Sequence, residues 1–138
     1  MVAATPNDTP VLDTGQVERY ERDGYLLLED ALTPERLDAL NEVFAGWVEE
    51  SRSHDGPWGE TFDGRPRFDV EPGHCPEQPA LRRVASPIEV SDAYLGVMRD
   101  NPALRAVAQL VSPNLRFRES KLNSKLPGTA THLKYHQD

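Results

Sequence analysis

Cysteine is almost missing from this chain: Cys75 is the single one in 138 residues. One thiol closes no internal disulfide and builds no thiolate zinc site, so a packed core must hold the fold, and a reducing, cytoplasmic compartment is expected. Long apolar runs are missing as well. Nothing approaches the roughly 18 consecutive apolar residues of a membrane span. The opening MVAATPNDTP has neither the basic start nor the apolar stretch of a secretory signal, so a soluble, unsecreted protein is expected. Cations are scarce too, with 15 Lys plus Arg against 23 Asp plus Glu and a formal net charge of -8. Nucleic acids and anionic bilayers are bound by clustered cations, so neither is expected as a partner. A small-molecule substrate remains. Internal repeats and low-complexity tracts are also absent.

The 38% hydrophobic and 28% charged content is that of a globular chain, and the length suits one domain. Residues 1–12 carry turn-forming and polar residues without periodicity and read as a mobile arm; the ordered domain is expected over 13–138. Asp13 or Thr14 can cap a short helix bearing Val17 and Tyr20, and Gly24 suits its exit. Tyr25 to Leu28, YLLL, reads as a short buried strand. Thr33, Pro34 and Glu35 then start a helix in which Leu37, Leu40, Phe44, Trp47 and Val48 form one apolar stripe, ending near Ser51.

From Ser53 to Pro79 nine of 27 residues are Gly or Pro, which predicts an irregular loop whose Trp58, Phe62 and Phe68 pack on something. Ser91 can cap a helix holding Tyr94, Leu95 and Met98, and Asn101 with Pro102 a second one holding Leu104, Val107, Ala108 and Val111. The stretch after Asn114 alternates as a strand to about Leu126, Pro127 and Gly128 make a turn, and TATHLKYHQD reads as another strand.

On a strand, positions two apart share a face, so His136 and Asp138 can converge on one ion. An imidazole and a carboxylate, joined by a second histidine, form the facial triad that leaves open positions on Fe(II). The spacing alone is weak: with four His and 11 Asp, about 0.3 chance matches are expected. His132 lies four residues before His136, and on a strand His132, Lys134, His136 and Asp138 would share one face.

The order of the parts carries more. The succession RYERDGYLLLEDALTPERLDALNEVF, then RRVASP, then NPALRAVAQLVSPNLRFRESKLNSKLPG, then KYHQD resembles the phytanoyl-CoA dioxygenase family of Fe(II)- and 2-oxoglutarate-dependent oxygenases, from about Gln16 to Asp138. The departures are KLPG where KPPG is usual, Tyr135 where Trp is common, and VSPN in place of a GP turn. The resemblance implies an α+β fold of N-terminal helices with the first strands of a double-stranded β-helix, or jelly roll. It implies His136 and Asp138 as two iron ligands, and Gln137, Lys121 and Arg83 around the 2-oxoglutarate co-substrate, with Arg82 beside Arg83 leaving that register open by one residue.

Asn123 and Lys125 share the parity of Lys121 and could line the same cavity. Family members continue past the motif to a distal histidine and an arginine, so the resemblance further implies an incomplete domain, inactive alone. Other readings stay open. Lys121 and Arg83 fit ordinary solvated cations, the HxD fits a non-catalytic binding module, and His132, His136 and Asp138 fit a hydrolytic zinc site.

Overall fold

The structure is a computed structural model and describes residues 10–129. Its elements are α1 (Thr14–Asp23), α2 (Pro34–Ser51), β1 (Trp58–Glu60), β2 (Pro66–Val70), β3 (Leu81–Ala85), a 3-10 turn (Pro87–Glu89), α3 (Asp92–Arg99), α4 (Pro102–Leu110) and β4 (Lys121–Asn123). The fold class is therefore α+β, as expected. No helix among the described residues is long and apolar enough to cross a membrane. The chain forms two compact units, one drawn from Met1–Leu40 and Asp92–Arg118, the other from Asn41–Ser91 and Glu119–Asp138.

In the first unit, local capping chemistry sets the helix ends. Asp13 accepts the Gln16 amide at 2.8 Å while the Gln16 side chain accepts the Asp13 amide at 3.0 Å, a reciprocal box that satisfies two otherwise orphaned donors. Gly24, at φ 77, ends α1 with its N–H on Tyr20 O. Thr33 Oγ1 accepts the Arg36 amide at the start of α2. Asn101 serves two helices: its Oδ1 accepts the Leu104 amide at 2.8 Å, and its Nδ2 donates to Val97 O at 2.6 Å.

In this unit one expectation fails and another is narrowed at its edge. The arm predicted over 1–12 is held at its end, because Gln109 Oε1 accepts the amides of Val11 and Leu12 at 3.1 and 3.0 Å, and Gln109 Nε2 donates to Leu12 O at 3.0 Å. Leu12 is buried. That tether joins residues 97 and 98 positions apart, so no local pattern could reveal it; residues 1–9 lie outside the described residues. The YLLL segment forms no strand. Tyr25 and Leu27 are 71% and 73% exposed, and no backbone hydrogen bond ties residues 25–28 to another described residue. A short apolar run becomes a strand only where a neighbour supplies the ladder bonds.

The second unit is built on a four-stranded antiparallel sheet ordered β1-β2-β3-β4. One cross-strand row, Trp58 opposite Phe68, Phe68 opposite Val84, and Val84 opposite Leu122, runs over all four strands and makes the apolar face. Trp47, from the end of α2, meets Phe68 at 5.7 Å between ring centroids. Trp58 stacks on Phe68 at 4.6 Å, and His54 on Trp58 at 4.4 Å.

This row corrects the reading of 53–79 as an irregular loop, because β1 and β2 both lie inside it. The glycines and prolines there mark turns between short strands. Gly59, at φ 65, also sits where an added Cβ would come within 3.2 Å of the Phe68 ring. The β2–β3 connection is pinned to the end of α2 by His74 and by Arg52, whose Nη1 donates to Pro76 O. The strand predicted up to Leu126 shortens to Lys121–Asn123, opposite the end of β3. The turn at Pro127-Gly128 forms, with Thr129 N–H on Leu126 O at 3.3 Å and Gly128 at φ 78.

Candidate oxyanion face of the sheet

Opposite the apolar row, the other face of the sheet is polar. Arg83 pairs with Asn123 and with Asp69, and Ala85 with Lys121. Residues directly opposite, and residues two apart, share a face of a pleated sheet, so Arg83, Lys121 and Asn123 stand together, Lys121 and Asn123 with the shared parity read in the sequence. Lys121, Asn123, Lys125 and Arg83 are all exposed.

A β-bulge decides the electrostatics. The register steps one residue on β2, Asp69 to Val70, while β3 steps from Arg83 to Leu81, so Arg82 is an extra residue. Both arginines consequently reach one carboxylate oxygen: Asp69 Oδ2 accepts Arg82 Nε at 3.0 Å, Arg82 Nη2 at 2.8 Å and Arg83 Nη2 at 2.7 Å. The hydrogen bond to Asp69 first, and then the charges of Asp69 and Glu71, raise the Arg82 guanidinium above its ordinary value, against the opposing effect of burial.

Arg67 belongs to the same sheet and has a different job. It is buried, its Nη1 donates to Ala85 O and Ser86 O, and its Nη2 donates to Glu60 O and to Glu89 Oε2 at 2.6 Å. With both Nη groups engaged, this arginine ties the ends of β1 and β3 to the 3-10 turn. It has nothing to offer a ligand.

Of the residues singled out in the sequence, the structure brings Arg83 and Lys121 to one face. Gln137, His136, Asp138 and the alternative ligand His132 lie outside the described residues. Among the described residues no group of three or more His, Cys, Asp or Glu could hold a metal ion. The described face thus offers cations suited to a dianion and no metal donor set. Sequence reasoning missed Asp69 and the part played by Arg82, because strict alternation assigns Arg82 to the opposite face and only the bulge turns it back.

Shallow depressions of about 230 Å³ and about 430 Å³ lie in the first unit, the former beside Arg36 and Asp92, the latter beside Arg116, Phe117 and Arg118. Arg36 is engaged there by Asp100 at 3.2 Å. No protein-family model matches the chain, and no curated protein and no solved structure matches it.

Proposed function

We propose that this is an Fe(II)- and 2-oxoglutarate-dependent oxygenase domain of the phytanoyl-CoA dioxygenase type, in which the sheet is part of a jelly roll and its polar face receives the co-substrate. The observation that carries the reading is the gathering of Arg83, Lys121 and Asn123 on one exposed face, behind which an apolar row packs against Trp47. An ammonium beside a carboxamide on a strand edge suits one carboxylate of a dianion, and the rigid ladder fixes where that carboxylate sits. His136 and Asp138 have the donor chemistry to hold Fe(II), with Gln137 beside the co-substrate. The bound metal would supply oxygen activation coupled to decarboxylation of the keto acid. The chain's own residues orient the dianion and keep its charge balanced.

The test is anaerobic titration of 2-oxoglutarate into the Fe(II)-loaded protein. A charge-assisted contact contributes about 1.5–3 kcal/mol, so Lys121→Met should weaken 2-oxoglutarate roughly 10- to 100-fold, and His136→Ala or Asp138→Ala should abolish Fe(II) binding. Undiminished 2-oxoglutarate affinity in Lys121→Met would remove the basis of the proposal.

One observation favours a second reading, a non-catalytic module. Asp69 holds both Arg82 and Arg83, which is also how a sheet would be cross-linked for stability. Metal binding and stability both unchanged in Asp138→Ala would support that reading.

A further inference from the structure

The two arginines on Asp69 are more than a structural pair requires. Arg82 alone already clamps Asp69 Oδ2 with two donors, Nε and Nη2. Arg83 adds a third donor to the same oxygen, and its own Nε and Nη1, like Arg82 Nη1, have no hydrogen-bond partner among the described residues. The Arg83 side chain is 49% exposed. Arg67, buried and with both Nη groups engaged by three carbonyls and a carboxylate, shows what a purely structural arginine looks like in this sheet. Charge points the same way. Arg82 and Arg83 share the single carboxylate of Asp69, with Lys121 on the same face as Arg83, in a chain whose net charge is -8.

We propose that Arg82, Arg83 and Lys121 form an oxyanion site in which Asp69 is a built-in competitor that positions both guanidinium groups while weakening the site for an incoming dianion. The open donors of Arg82 and Arg83 take the oxygens of a carboxylate or phosphate monoester, for which a guanidinium fork is the matching shape. Lys121, reached through the Ala85 pairing, adds an ammonium on the same face as Arg83. The site needs no metal. That its natural occupant is 2-oxoglutarate rests on the oxygenase reading; that it binds an oxyanion does not.

The experiment is calorimetric titration at low ionic strength, with a metal chelator present, of inorganic phosphate and separately of 2-oxoglutarate, into the wild-type chain and the variants Arg83→Gln, Asp69→Asn and Lys121→Gln. The two single changes at the ion pair break the same contact yet should act in opposite directions. Arg83→Gln should weaken phosphate by about tenfold, whereas Asp69→Asn, by removing a nearby negative charge, should tighten it by roughly three- to tenfold. A cross-link that serves stability alone predicts otherwise, since both variants would then lose affinity together or leave it unchanged.

Either of those results overturns the proposal, and so does failure of both anions to bind the wild type. Should Asp69→Asn not fold by circular dichroism, Lys121→Gln decides, because Lys121 is exposed on β4 and makes no ion pair with Asp69. Phosphate weakened by roughly threefold in that variant supports the site, and unchanged phosphate affinity overturns it. Repeating the 2-oxoglutarate arm with Fe(II) reads only on the co-substrate assignment.

Discussion

Replacing His74 with leucine should cost this chain a large part of its stability. The ring sits between two carbonyls and an amide: Nε2 is 2.9 Å from Ser51 O and 3.0 Å from His54 O, and Nδ1 is 2.8 Å from Ala80 N. Carbonyls only accept and the amide only donates, so the partners assign the proton to Nε2 and leave Nδ1 as the acceptor. One neutral imidazole thus closes the C-terminal end of α2 and fastens the β2–β3 connection to it. Leucine fills a similar space and makes none of these bonds. Each lost bond costs about 1 kcal/mol net, and a donor left buried without a partner about 1–3 kcal/mol.

Ser51 O keeps the His54 amide at 3.0 Å, so the group left without its partner is the part-buried Ala80 N–H. The sum is about 2–4 kcal/mol, a sizeable part of the roughly 5–15 kcal/mol that stabilises an ordinary domain. Urea denaturation should show the loss as a lower midpoint at unchanged slope. His74→Gln, which keeps one acceptor and one donor, should recover part of it. A loss under about 0.5 kcal/mol in His74→Leu, where the lost bonds require several times more, or a glutamine no better than leucine, would refute the reasoning.

Three further outcomes are expected. Gly59→Ala forces a side chain into a left-handed backbone position against Phe68 and Arg67, and should lower stability by about 1–3 kcal/mol in a thermal melt. Gln109→Ala should strip hydrogen-exchange protection from the amides of Val11 and Leu12 while leaving the sheet amides protected. Asp63 is held down to about 2 by hydrogen bonds first from Arg65 and then from Thr61. Its folded-state value lies below the unfolded one, so its contribution is present above the ordinary 3.8 and is lost as pH falls from there toward about 2. Asp63→Asn should flatten the acid limb of a denaturation series in that window, by a small amount that added salt shrinks, since the pair is exposed.

Features that depend on residues within about four positions of one another were legible in the sequence. The Asp13 cap, the Gly24 exit, the Asn101-Pro102 start of α4 and the Pro127-Gly128 turn all formed where their chemistry put them. Features that depend on a distant partner were not. Three residues of β1 and five of β2 are too short to show a period, and their apolar character appears only when Trp58, Phe68, Val84 and Leu122 line up across strands. The YLLL run had the composition of a strand and no ladder partner among the described residues. For the candidate site, the shared parity of Lys121 and Asn123 was readable and Arg83 came from the family resemblance, while Asp69 stayed hidden because its partners lie on another strand, where a single inserted residue brings Arg82 to it beside Arg83.

The order of the strands in the sheet also bears on how the molecule assembles. β1, β2 and β3 pair with their chain neighbours across short connections, so they can close early at little entropic cost. β4 joins β3 only after the 35 residues from Ser86 to Ser120, which include α3 and α4. Its ladder is three residues long. Lys121 and Asn123 therefore reach Arg83 last, and the topology makes completion of the cationic face a late event in folding. A chain with a frayed β4 would keep its apolar row from Trp58 to Val84, and with it a native-like tryptophan signal, while lacking the strand that completes the face. Fluorescence would report such a molecule as folded; anion binding would not.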